Sequence, residues 1–430
     1  MVVVVAAALT WGCSASGDRP ELDGAGARPP RTISVWFHSG QGPERSTIES
    51  QVRTFNASQD RVKVDLVLLP EGSYNDQVEA AAARGKLPDL LDFDGPNLYS
   101  YVGRGQLAPI DDLLTPAVRA DLLSSIASQG TFRGRLYSVG TFDSGLGLYG
   151  SRRMLEKAGV RIPRSVADAW SASEFDKVLA ALAAHDRDGK VLDVKLSYGI
   201  GEWYTYGFSP VVWSAGGRLV SSDLRSAAGQ LDAPEVISAM RRVQRWIRSY
   251  VDPNPDDDAF EKGKVALSWV GHWQYQAYHA ALGDDLVVMP LPDFGHGAKT
   301  GQGSWNWGIS RSSTSKAEAA KFLDFLLQPD QVLRMSEANG AVPGTRSALA
   351  RSSLYSGGPL SLLATQLEQT CGTRDIDTTC VAVPRPSTAS YPAITAAFQQ
   401  AFKAVVAGED VSTAFRAAAA QIDASLQASP

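Results

Sequence analysis

The chain has 430 residues, 44% hydrophobic and 20% charged, with 41 basic against 46 acidic side chains. That length exceeds one ordinary core and predicts two or three domains, at roughly 100–200 residues each. A net charge of −5 with no basic cluster argues against nucleic acid or an anionic membrane surface as a partner, because both are held through Lys and Arg. The 10 tryptophans stand out, since so large an aromatic face needs either packing or a ligand.

At the start, Val2 to Leu9 is an apolar run followed by Thr10-Trp-Gly-Cys13. It is too short to span a bilayer, which takes about 20 residues. It resembles an export signal ending in a bacterial lipoprotein box, which implies acylation of Cys13; Thr10 stands where that pattern prefers Leu. Residues 14–30 are mostly Gly, Ala, Pro, Asp and Arg, a tether composition with nothing to pack.

Arg31 to His38 reads as a buried strand, Ser39 to Glu44 as a turn, and Ser46 to Asn56 as a helix. A strand over Val62 to Leu69, a helix over Tyr74 to Arg84 and a strand over Pro88 to Asp94 follow. This alternation predicts an α/β fold with a mostly parallel sheet covered on both faces. Ligands gather at the carboxyl ends of such strands, which places His38 to Gln41 and Asp94 on one rim. Apolar segments at Leu136 to Val139 and Leu146 to Tyr149 flank Gly140 to Gly145, and a helix is expected over Ser151 to Ala158.

From Asp168 to Val288 the alternation repeats and predicts a second lobe, with helices over Ala172 to His185 and Pro234 to Tyr250. Glu202 and Trp203 read as a loop before a helix over Phe208 to Ala215, and Trp273 as the end of an apolar strand. A strand over Trp305 to Ser310 and a helix over Lys316 to Leu327 come next, and the chain beyond Ser361 reads as largely helical. Cys371 and Cys380 sit in a polar segment with no His nearby to complete a metal site, so in an oxidising compartment a disulfide is expected.

The ordered set Trp36-Phe-His-Ser-Gly-Gln-Gly42, Pro88 to Asp94, Phe142 to Tyr149 with Leu155-Glu-Lys-Ala-Gly159, Gly263 to Trp273 and Gly340 to Arg346 resembles a known family. It is similar to the extracellular solute-binding proteins of family 1, the maltose-binding type serving ATP-binding-cassette sugar importers, from about residue 31 onward. The resemblance implies a two-lobed periplasmic-binding-protein fold of type II, each lobe a mostly parallel sheet flanked by helices, joined by a multi-strand hinge. It implies one lobe from residues 31–140 and 292–340 and the other from 141–291 and 341–430. Chain crossings would lie near Gly140 to Ser144, Met289 to Asp293 and Ala341 to Gly344, where small residues and prolines absorb the rotation of closure. A carbohydrate ligand, a membrane permease, a lipid anchor on the outer face of the cell membrane and a monomeric state complete the expectation, with no cofactor and no metal.

Sugar capture needs aromatic planes for the C–H faces of pyranose rings and polar groups for the hydroxyl edges. A carboxylate accepting from a neutral hydroxyl forms a charge-assisted bond, stronger than a neutral one. On the first lobe the matching positions are His38, Ser39, Gln41, Asp94, Ser304, Trp305 and Asn306. At the crossings and on the second lobe they are Asp143, Ser144, Glu202, Trp203, Gly271, His272, Trp273 and Arg346. Trp273 is preferred to Trp269, with which it shares a face if the segment is a strand, and Trp305 to Trp307. His38 and His272 stay open between hydroxyl donors and structural histidines, and Arg346 between the ligand and the crossing.

A glycoside hydrolase is the alternative, since tryptophans and carboxylates also build those sites, with carboxyl groups about 5–5.5 Å apart in retaining enzymes and roughly 6.5–9.5 Å in inverting ones. Another is a protein of the same fold for a non-sugar solute; a cationic ligand would call for more cleft carboxylates than Asp94, Asp143 and Glu202. Gly145-Leu-Gly-Leu-Tyr-Gly150 mimics a dinucleotide fingerprint, but its glycines lie inside the apolar segment instead of the turn after it. Asp186 to Gly189 and Asp252 to Asp258 lack the spaced ligands of a calcium loop, and the 5 His form no zinc motif.

Overall fold

The structure, a computed structural model, describes residues 29–198, 202–253, 256–372 and 375–428. Cys13, most of the tether and the expected lipid attachment lie outside them. The first half contributes β1 (Arg31–His38), β2 (Val62–Leu69), β3 (Leu90–Asp94), β4 (Thr131–Phe132), β5 (Arg135–Leu136), β6 (Ser138–Val139), β7 (Phe142–Asp143), β8 (Leu146–Ser151) and β9 (Leu192–Asp193). The second half contributes β10 (Leu267–Gly271), β11 (Leu286–Met289), β12 (Thr300–Gln302), β13 (Trp305–Ile309), β14 (Val342–Pro343) and β15 (Ala382–Pro384).

Two sheets form. The first has the order β2-β1-β3-β13-β6, with β1 parallel to β2 and β3, and β13 antiparallel to β3 and β6. The second has the order β11-β8-β10-β9, with β8 antiparallel to β10 and β11, and β9 parallel to β10. In each sheet all strands but one therefore run the same way. The reversed strands, β8 and β13, are the ones that arrive from the other lobe. A chain crossing between lobes reaches a sheet at the rim where its other strands end, so it must run backwards from there. Trp305 accordingly pairs with Asp94, the last residue of β3, and Leu146 with Gly271, the last of β10. The expected parallel order thus holds as strand direction, whereas most pairings in the second sheet are antiparallel.

Alternation along the first sheet sends Ile33, Val35 and Phe37 into a core with Phe55, Phe322 and Leu323, while Leu91 and Phe93 join Tyr74, Val78 and Leu98 on the other face. The second sheet shares one core with the carboxyl-terminal helices Tyr391–Val406 and Val411–Ala428 through Phe398, Phe402 and Phe415. Between the lobes, β7 and β14 pair as a short antiparallel ladder, Phe142 against Pro343 and Asp143 against Val342. Phe142 packs in the first core and Val342 in the second, so the ladder is rooted on both sides.

The helix Pro234–Tyr250 has the expected bounds. Two others start earlier than their residues suggest. Gly42–Ser58 begins with Pro43 in its first turn, a position that needs no N–H donor, so Ser46 lies inside the helix. Trp203–Ser214 includes Gly207 and Pro210, which read as breakers; every one of its residues is buried, and tertiary packing overrides the propensity. Cys371 and Cys380 form a disulfide.

Candidate functional site

A cleft of about 320 Å³ opens between the sheets, lined from both sides. Its first wall is the rim where β1 and β3 end and β13 begins. His38, the last residue of β1, holds Nδ1 2.5 Å from Asp92 Oδ2, and its Nε2 lies 3.7 Å from Glu44 Oε1. Burial alone would push this imidazole towards neutrality, but Asp92 and Glu44 outweigh it and raise the pKa well above the ordinary value. The imidazolium stacks on Trp305 with centroids 3.7 Å apart and planes 5° from parallel, which fixes the indole at the edge of the cleft. Burial opposes ionisation of Glu44 too, yet His38 holds its carboxyl below the usual value.

The second wall grows from the end of β10. Strand geometry stops at Gly271, and His272–Gln274 forms a turn of 3-10 helix, so Trp273 is not on an alternating strand with Trp269. A Cβ at position 271 would lie 2.1 Å from the Trp273 ring, so the glycine lets the indole fold back over its own backbone. His272 Nδ1 is 2.8 Å from the Asn339 carbonyl, which only accepts, so the proton sits on Nδ1. Its Nε2, 3.0 Å from Ser144 Oγ, then accepts from the serine hydroxyl, which in turn accepts from Tyr206 at 3.0 Å. Burial lowers the His272 pKa to about 4, in keeping with this neutral tautomer. Trp203 stands edge-on to Trp273, with centroids 5.9 Å apart at 87°, and donates Nε1 to the Val194 carbonyl at 3.3 Å.

Arg385 joins the walls. Its guanidinium binds both Asp94 oxygens at 2.6 Å, donates to Glu202 Oε2 at 2.8 Å, and lies over the Tyr206 ring at 4.9 Å. Burial disfavours this charge, but Asp94, with Tyr391 and Glu202 also contributing, more than compensates. Glu202 also accepts from the Tyr391 hydroxyl and from Thr395 Oγ1 at 3.1 Å. Its burial raises the carboxyl pKa against the pull of Arg385. Arg385 follows β15, which pairs with β12 and is tied to the Cys371–Cys380 bridge; Lys299 Nζ, just before β12, donates to the Asp377 and Cys380 carbonyls at 2.7 and 2.6 Å.

Of the residues expected to contact a ligand, His38, Gln41, Asp94, Ser304 and Trp305 line the first wall, and Ser144, Glu202, Trp203, His272 and Trp273 the second. Trp269 and Trp307 are buried at 2% and 3% exposure, as the preference for their neighbours anticipated. Five others lie outside the lining. Ser39 is half-buried behind the rim, its carbonyl accepting from Arg45 Nε at 3.0 Å. Asp143 is fully buried in the hinge ladder, accepting from the Ser144 N–H at 2.8 Å and from Gln129 Nε2 at 3.2 Å; burial raises its pKa. Asn306 is wedged between Gly95 and Gly140, and Gly271 sits beneath Trp273. Arg346 is exposed and donates to the Ala120 carbonyl, fixing the crossing.

The cleft also contains residues that the sequence reading did not assign to it, chiefly Arg385, Tyr206, Glu44 and Glu71. The one local sign for Arg385 is its place between Pro384 and Pro386. Asp94 and Glu202 are thus already partnered by a cation, and both histidines are satisfied by protein atoms. No group of three or more His, Cys, Asp or Glu among the described residues is placed to hold a metal ion.

A family model described as bacterial extracellular solute-binding protein matches residues 50–358. A Streptomyces antibioticus chain described as an uncharacterized lipoprotein is 25% identical over 367 residues, 83% of this chain and 78% of that relative. Among solved structures, the cyclic α-maltosyl-1,6-maltose binding protein of Arthrobacter globiformis superposes with a TM-score of 0.69 at 25% identity, covering 93% of this chain and 100% of that one. The GacH receptor of Streptomyces glaucescens, solved unliganded and with acarbose, gives a TM-score of 0.76 at 21% identity over 93% and 99% of the two chains. A solute-binding protein from Thermotoga lettingae bound with α-D-tagatose gives 0.76 at 22%, over 92% and 100%. The last two likenesses speak for the two-lobed fold alone.

Proposed function

Because the chain belongs to the bacterial extracellular solute-binding protein family, we propose that it captures a carbohydrate between its lobes and delivers it to the permease of an ATP-binding-cassette importer. The observation that carries this reading is the presence of an indole on each of the two opposite walls, Trp305 and Trp273, around one cavity edged by Asp94, Glu202 and Arg385. Indoles take the C–H faces of a sugar ring, and the ionised edge takes its hydroxyls through charge-assisted bonds. Ligand contacts on both walls favour the closed arrangement, with the β7–β14 ladder between the lobes as the hinge. Export and acylation of Cys13 would keep the protein at the outer face of the membrane beside its permease. No helix among the described residues is long and apolar enough to cross a membrane.

The geometry favours capture over hydrolysis. Both Asp94 oxygens are held by Arg385, and Glu202 Oε2 accepts from Arg385, Tyr391 and Thr395, an arrangement that supports binding roles for these carboxyls over proton transfer. A thermal-shift screen against sugars, amines and peptides tests the proposal, because a ligand specific to the folded state raises its melting temperature by mass action. Stabilisation by saccharides, recovered unchanged by chromatography, is expected. Stabilisation by peptides alone, or turnover of a sugar, would defeat the reading.

A further inference from the structure

The cleft holds more negative charge than it balances. Five carboxylates, Asp92, Glu44, Glu71, Asp94 and Glu202, stand in it or directly behind it, against two cations, His38 and Arg385. Each cation is shared between two carboxylates: His38 between Asp92 and Glu44, and Arg385 between Asp94 and Glu202. Glu71 is exposed at the cleft mouth, and its carboxylate forms no hydrogen bond or ion pair among the described residues. A neutral polyol would leave this surplus in place; the carboxyls of Asp92 and Glu202 are held above their ordinary pKa by burial, and that of Glu71 by desolvation with the nearby Glu44, Asp94 and Asp92 charges adding to it.

Two further features point to what enters. Ser304 Oγ and Arg385 Nε belong to residues only 3% and 4% exposed that line the cleft, and neither atom has a hydrogen-bond partner. Buried polar atoms are ordinarily satisfied, so a small shift of this wall around a ligand would give both atoms partners among its hydroxyls. Trp273 also lines the cleft, and an indole attracts a cation as well as C–H groups, whereas the rings of Trp305 and Tyr206 already carry the cations of His38 and Arg385. Surplus carboxylate, aromatic faces and unfilled hydroxyl partners together describe a sugar that carries positive charge.

We infer that the solute is a saccharide bearing a protonated amine, with its ammonium directed to the Glu71 side of the cleft and its hydroxyls to Ser304 and Arg385. This inference rests on the carbohydrate reading and narrows it to a ligand class. Calorimetric titration tests it with glucosamine and its β-1,4-linked oligomers against their N-acetylated counterparts and neutral gluco-oligosaccharides. The amines should bind about tenfold tighter or more, the scale of one hydrogen bond to a charged group. That advantage should shrink in Glu71→Gln and in about 0.5 M salt, where exposed charges are screened within a few ångströms. A neutral sugar that binds as tightly as the amines, or tighter, overturns the inference and leaves the carbohydrate reading standing. Failure of every saccharide to bind overturns both.

Discussion

Burial makes His272, with its Nδ1 proton on the Asn339 carbonyl and Nε2 on Ser144, resist a second proton, and this ties cleft geometry to pH. An unfolded imidazole protonates near pH 6.5, whereas the folded one resists until about 4. Between those values the unfolded chain binds the extra proton, so stability falls as pH falls, by about 3 kcal/mol across the window. His38 has the opposite sign: its raised pKa contributes stability below 6.5 that is lost as pH rises through the folded value, so it is silent in the acid window. Denaturant unfolding of wild type and His272→Gln at pH 7 and at pH 4.5 should therefore show a stability gap that narrows at the lower pH. A constant gap would mean that His272 is not held neutral. His272 and Trp273 line the cleft, while Gly271 lies beneath the indole, and its role of leaving space depends on the turn that follows β10, which the residues alone do not record. Asp143 lies outside the cleft lining for a related reason: a carboxylate flanked by apolar residues signals a buried partner, and in the structure it accepts from Gln129 and the Ser144 N–H.

Elements were easier to read than the contacts between them. Apolar residues recurring along β1 and β2 marked their bounds, and helical periodicity marked Pro234–Tyr250, because in these segments burial and propensity agree. They disagree at the start of Trp203–Ser214, where Gly207 interrupts the pattern of a helix that burial sustains from Trp203 onward, and Trp203 therefore faces the cleft from a first helical turn and not from a loop. The reversed strands β8 and β13 follow from where the chain crosses, which no local pattern records. Arg385 was invisible for the same reason, being delivered by β15, a three-residue strand held on β12 and beside the Cys371–Cys380 bridge. Replacing both cysteines, Cys371→Ser with Cys380→Ser, should cost about 2–4 kcal/mol of stability, the usual worth of a bridge. It should also weaken solute binding by loosening the segment that aims Arg385. Unfolding curves and titrations of the double variant check the two effects separately, and an unchanged midpoint would show that packing alone holds this segment.

At the scale of the whole molecule, length and alternation imply two α/β lobes, but their assignment as halves of a solute trap came from the ordered resemblance. The structure adds how the halves meet: a hinge ladder with one residue rooted in each core, and Arg385 bound at once to Asp94 on the first sheet and to Glu202 at the start of a second-lobe helix. The cleft is therefore a property of both lobes together, and neither wall presents a complete site by itself. Removing the indole of either wall should weaken binding of a stabilising saccharide by about 1–3 kcal/mol, the worth of one large buried side chain, or roughly 5- to 150-fold in Kd. Calorimetric titration of Trp305→Ala and of Trp273→Ala, each shown to be folded, tests this most directly. The prediction is that both variants lose affinity on that scale; wild-type affinity in either one would contradict capture of the solute between the two lobes.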